Sequence, residues 1–225
     1  MSYLEPINQT KLYGLEKYFT ELVRFYKNGN YPNKILFSGQ KGIGKATLAF
    51  HFINYILTIL EEPNENINFI LIHNNRKILS TLLSRCINFK ISLSNNDYLK
   101  ISNQLLNNDL NNLVSNELIN YYFTPGEIYQ LVQFSSENDY DLSNIDLKNF
   151  LKILINDTQY KKNNFINNMM YSLMEFYFRK SNQSFSKLLN EKYSYFIKRI
   201  SDTKTYNLDK ESLFMEFNEE ILDAY

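Results

Sequence analysis

The most restrictive stretch of the chain is "FSGQKGIGKAT", residues 37–47. Gly39-Gln-Lys-Gly42-Ile-Gly44-Lys45-Ala46 fits G-x-x-x-x-G-K-[ST] at every fixed position except the last. Three of the chain's 6 glycines fall inside this one loop. A short apolar run, Ile35-Leu36-Phe37, leads into it, and residues 45 to about 62 have helical composition up to Pro63. The expectation is a strand, a glycine loop and a helix in succession. In such a unit the glycines let successive backbone N–H groups face phosphate oxygens. The lysine neutralises the outer phosphates, and the helix presents its positive N-terminal end.

The departure at Ala46 limits what such a loop can do. That position ordinarily supplies the hydroxyl that holds magnesium. Thr47, the next hydroxyl, points about 100° further round the helix. Hydrolysis also calls for a carboxylate at the end of a neighbouring strand. The apolar run "NFILIHNN" ends instead in His73, Asn74 and Asn75. Glu61 and Glu62 stand at a helix end before Pro63, where a solvated or capping role suits them. We therefore expect a retained loop shape that binds ATP weakly at best, through Gly39, Gly42, Gly44 and Lys45, without a firmly held magnesium ion.

Composition excludes several function classes. Lys+Arg and Asp+Glu are both 24, so no long-range field draws the chain to a nucleic-acid backbone or an anionic membrane. The single Cys86 forms no internal disulfide, and with only His51 and His73 beside it no zinc set is expected. The opening "MSYLEPINQTK" lacks a secretory profile, and the apolar stretch 48–60 is too short to span a bilayer. A cytoplasmic protein without membrane partners is the expectation.

Periodicity divides the 225 residues. Leu15, Phe19, Leu22 and Tyr26 share a helix face that ends at Asn28-Gly29. Strands are expected over 34–37, over 68–73 as a fully buried run, and more weakly over 88–92. Beyond Ser94 the reading is helical. Thr124 caps a helix with Pro125 in its first turn. Three amphipathic helices then carry the stripes Phe165-Met169-Leu173-Phe176, Phe185-Leu189-Tyr193-Phe196-Ile200 and Phe214-Phe217-Ile221. The expected class is α/β plus all-α. A parallel P-loop sheet of about three strands occupies 1–93, a small helical lid 94–140 and a helical bundle 141–225.

The blocks "GIGKATLA" (42–49), "TILEEPNENINFILIHNN" (58–75) and "TLLSRC" (81–86) together resemble the AAA+ module of the δ′ subunits of bacterial DNA polymerase III clamp loaders. The match covers about residues 10–95 and continues loosely through "TPGEIYQL" into a helical collar. The resemblance implies a subunit of a hetero-oligomeric ring of clamp-loader subunits, meeting primer-template DNA only within the assembly. In that family the arginine of the Ser-Arg-Cys triplet reaches the nucleotide held by the next subunit, and Arg85 is the residue that matches it. A permanently charged, planar guanidinium suits that task. Capping a helix end or pairing locally is the alternative for Arg85. The family's position for sensing the γ-phosphate falls at His73 or Asn74, with a packed strand-end histidine as the alternative for His73.

The chain also departs from that family. The segment carrying a zinc module, two strands and the acidic strand end has no counterpart, because "FINYIL" runs directly into "TILEEP". The family's strand order then implies a residual parallel sheet of 88–91, 34–37 and 68–72, with the 34–37 strand central and an uncovered edge on "NFILIH". Glu127 stands where relatives that contact phosphate from the lid place a basic residue. The resemblance thus implies a non-catalytic ring subunit that offers Arg85 in trans. A self-sufficient P-loop ATPase using Lys45 and Thr47, and a shortened relative that no longer assembles, are the alternatives.

Overall fold

A computed structural model describes residues 5–59, 67–74, 78–121, 123–181 and 187–224. The chain forms two compact units, Met1–Leu110 with Phe123–Asn138, and Asn111–Tyr122 with Asp139–Tyr225. Most of both is helical, with one small parallel sheet in the first.

In the first unit, a 3-10 turn Pro6–Asn8 precedes α1 (Glu16–Lys27), β1 (Lys34–Ser38), α2 (Lys45–Ile59), β2 (Phe69–His73), α3 (Ser80–Leu83), β3 (Ile87–Lys90) and α4 (Asn95–Leu106). The short helices α5 (Leu110–Leu113) and α6 (Asn116–Ile119) follow, and α7 (Pro125–Glu137) returns to the first unit. Leu15, which precedes α1, and Leu22 within it are buried, with Phe19 and Tyr26 packed against the same core. It stops at Asn28 because Gly29 turns the chain with φ +69°. The sheet order is β2-β1-β3, all parallel, with β1 central. Its register sets Ile35 beside Ile70 and Ile87, and Phe37 beside Ile72 and Phe89. Ile35, Phe37 and Phe89 join α1 and α2 in the core, together with Leu48 and Phe52. Tyr18 fastens α1 to the end of β3, its hydroxyl accepting from the Ser92 N–H at 3.2 Å.

The strand over 68–73 is not fully buried as expected: Phe69 is 50% and Ile72 44% exposed. A uniformly apolar run signals a strand covered on both faces, but β2 is an edge strand, as the family's strand order implies, and among the described residues it pairs with β1 alone. The segment 94–140, set apart in the sequence reading as a lid, divides between the two units. Helix α4 packs on α7, which keeps both with the sheet.

The second unit continues through α8 (Leu147–Asn156), α9 (Gln159–Lys162), α10 (Asn164–Ser181), α11 (Lys187–Tyr206), α12 (Lys210–Phe217) and a π turn, Asn218–Leu222. Helices α8 and α9 are additions to the expected set. Asp146 caps α8, accepting from the Asn149 N–H at 2.7 Å, and its Leu147, Phe150, Leu151, Leu154 and Ile155 are buried. The face of α10 is also corrected. Met169 and Leu173 are buried as expected, but Phe165 and Phe176 are only half-buried, and Ile166, Met170, Met174 and Phe178 fill the interior. Two overlapping apolar lines on one helix fit the same period, and only the neighbours decide between them. Phe196, Ile200, Phe214, Phe217 and Ile221 are buried as read, whereas Phe185 and the Leu189 side chain lie outside the described residues.

Phe178, Phe196 and Phe217 form an aromatic triad with ring centroids 5.4 to 5.9 Å apart. Truncation there removes packing on every side of a ring. Phe217→Ala is expected to lower stability by about 3–5 kcal/mol, read as a reduced urea midpoint. A Phe165→Ala control on the half-buried line should cost well under half of that.

Candidate functional site

Strand β1 delivers the chain to Gly39 at the interior of the first unit, and α2 begins at Lys45. Between them Gly42 (φ +84°) and Gly44 (φ +88°) take left-handed conformations that residues with side chains adopt at a cost. Lys45 is only 4% exposed. Its Nζ donates to the Gly39 carbonyl at 3.0 Å and also to the Gln40 carbonyl. Burial pushes the ammonium below the usual lysine range. The lysine thus sits inside its own loop, with two backbone oxygens replacing lost hydration. Contact with a phosphate from this position requires those bonds to be exchanged.

The start of α7 presses on the same loop. The Gly126 N–H donates to the Gly42 carbonyl at 3.1 Å. A Cβ at Gly42 would lie 2.3 Å from the Thr124 hydroxyl, and one at Gly126 would lie 2.9 Å from the Gly42 carbonyl oxygen. Thr124 caps the helix as the sequence suggests. Its hydroxyl accepts from the Glu127 N–H at 3.4 Å and donates to the Glu127 carboxylate at 3.0 Å. That carboxylate also accepts from the Thr124 N–H at 2.9 Å. Glu127 therefore closes a reciprocal capping box and sets a negative group beside the glycine loop.

A cleft of about 390 Å³ lies among the loop, the N-terminal segment and helices α4 and α7. Gly42, Gly44, Lys45, Ala46 and Thr47 line it, and so does Asn74 from the end of β2. Its volume falls in the range of small-molecule sites. Leu12, Ile101, Leu105 and Pro125 supply apolar wall, and Glu127 and Gln130 supply polar groups. Gly39 contributes through its carbonyl to Lys45 rather than as lining. His73 is half-buried and does not line the cleft. Glu61, Glu62 and Asn75 lie outside the described residues. Sequence reasoning missed that Thr124 and Gly126 seat against Gly42. The signal was the tetrapeptide "TPGE", which places a glycine inside a capping box where ordinary helices have none.

Arg85 lies elsewhere. The strands are parallel, so the loop following β1 and the turn preceding β3 occupy opposite ends of the sheet. The four steps of β1, at about 3.3 Å each, put roughly 13 Å between those ends. The Arg85 side chain is exposed and has no hydrogen-bond or ion-pair partner among the described residues. It lines a separate groove with Lys34, Phe69 and Leu82.

No protein-family model matches the chain, and no curated protein matches it. Among the described residues, no group of three or more His, Cys, Asp or Glu comes together as a metal site, and no helix is long and apolar enough to cross a membrane.

The contact between loop and helix has a measurable consequence. Gly42→Ala combines an unfavourable φ with a clash and is expected to cost about 2 kcal/mol or more. Thr124→Ala removes the cap for about 1 kcal/mol. Because the lost hydroxyl is what the added methyl group would strike, the double variant should cost about 0.5 kcal/mol less than the sum, read by urea unfolding of all four proteins.

Proposed function

We propose that this chain acts by binding rather than by turning over nucleotide itself, as an AAA+ clamp-loader subunit of the δ′ type in DNA replication. In this reading its partners are the other subunits of a hetero-oligomeric ring, and it meets primer-template DNA only through that assembly. The observation that carries the reading is the placement of Arg85 at the sheet end opposite the glycine loop, exposed and unpaired among the described residues. An arginine so placed cannot serve its own loop and is free to serve another chain's site.

Three features of the loop support a non-catalytic role. The described strands end in Ser38, His73 and Lys90, so none of them delivers a carboxylate beside the cradle. Lys45 is engaged by its own backbone. The nearest acid along α7, Glu127, is committed to the capping box and would repel an added anion. ATP binding is accordingly weak, and magnesium has no organiser among the described residues.

Two measurements test this. Steady-state ATPase assays of the isolated chain should show no turnover that disappears in Lys45→Ala; Lys45-dependent turnover would establish the enzyme reading instead. With purified clamp-loader subunits, the chain should co-elute as a ring. Arg85→Ala should then lower the ring's ATPase by about 10³-fold, the usual effect of removing an arginine finger, without dissolving it. Failure to co-elute would remove the proposal.

A further inference from the structure

The sheet of the first unit is covered unevenly. One face packs on α1 and α2 through Ile35, Phe37 and Phe89. By strand alternation the other face carries Lys34, Leu36, Phe69, Leu71 and Asn88. Parallel sheets are ordinarily covered on both faces. Here Leu36 at the centre of the second face is buried, at 2% exposed, and the opening is confined to the N-terminal end, where the single helical turn α3 leaves a groove of about 420 Å³. Phe69, Leu71, Leu79 and Leu82 line it, and Leu79 is 76% exposed. Lys34 and Arg85 stand on its lining too, both exposed. Among the described residues no acidic side chain lines the groove, and neither cation has a hydrogen-bond or ion-pair partner.

We infer that this groove docks a segment of a protein partner that presents apolar side chains flanked by Asp or Glu. The apolar lining selects for side chains that gain by leaving water. The two cations select the sign of what flanks them. A carboxylate brought to Arg85 gains a forked, charge-assisted pair, and one near Lys34 a point-charge contact. A basic segment would meet like charge at both positions and be rejected. The inference goes beyond the reading above: it needs Lys34 and the apolar lining as much as Arg85, and it requires no nucleotide in the glycine loop.

The probe is a phage-displayed library of random dodecapeptides, selected on the immobilised full chain and, in parallel, on Lys34→Glu/Arg85→Glu. Both altered side chains are exposed, so the variant should keep the parent's circular dichroism and melting temperature. Lys34→Gln/Arg85→Gln serves as a milder second variant should it not. Peptides recovered on the parent chain should combine Leu, Ile or Phe with Asp or Glu. A fluorescein-labelled synthetic copy should bind by anisotropy, at least tenfold more weakly to the Glu variant, with an intermediate loss for the Gln variant. Its amide shift changes should centre on Phe69, Leu71 and Leu79 through Arg85. Recovery of no enriched set, enrichment of basic or uncharged peptides, unchanged affinity in both variants, or shifts centred elsewhere would each overturn the inference. So would ATP alone shifting the Lys34 and Arg85 signals while the acidic peptides shift nothing, since that pattern belongs to a phosphate site. None of these outcomes depends on ring assembly, so failure here and failure to co-elute are distinguishable.

Discussion

Gly42 and Gly126 meet backbone to backbone, with the Gly126 N–H bonded to the Gly42 carbonyl and no room for a side chain on either residue. The shape of the glycine loop in this protein rests on that contact together with the Lys45 ammonium held by the Gly39 and Gln40 carbonyls. A loop of this kind has few local preferences of its own, since glycine populates many conformations almost equally. Tying its middle to the first turn of α7 and its end to a buried lysine selects one of them. The cleft follows from the same contact, because α7 forms one of its walls.

The sheet determines which ends of the first unit carry which chemistry. Parallel strands put the loop after β1 and the ends of β2 and β3 on one side, and the turn carrying Arg85 on the other. On the first side the strand-terminal residues are Ser38, His73 and Lys90, with Ser38 donating its hydroxyl to Asn88 at 2.7 Å. That set can position neutral groups, but it has nothing to gather a hard cation. On the second side lies an apolar groove bordered by cations.

The second unit is held by different means. Its interior is aromatic and aliphatic, with Phe178, Phe196, Phe214 and Phe217 fully buried and in edge or tilted contact with neighbouring rings. Salt bridges such as Lys152–Asp223 and Lys161–Glu211 lie on partly exposed surface. Such pairs contribute little stability individually, so the ring contacts within the core set how firmly the unit holds together.

The sequence by itself determined the glycine loop and its flanking strand and helix, the stop of α1 at Gly29, the cap at Thr124 and the apolar character of the last helices. Each is written in a few neighbouring residues: a glycine spacing, a threonine three before a glutamate, a period of 3.6. The order of the strands came from the family resemblance, and the pairing of β2, β1 and β3 is as that order implies. The open edge of β2 follows from that same order, whereas tertiary structure alone decided which of two apolar lines on α10 is buried and that α8 carries a full core face. It also decided that Lys45 turns inward to its own carbonyls, that the Glu127 carboxylate is tied to the Thr124 cap, and that Lys34 joins Arg85 along one groove. The physical reason is range. Caps and turns satisfy backbone groups within one turn of chain, whereas burial and charge pairing depend on residues brought together from tens of positions away, which no local pattern records.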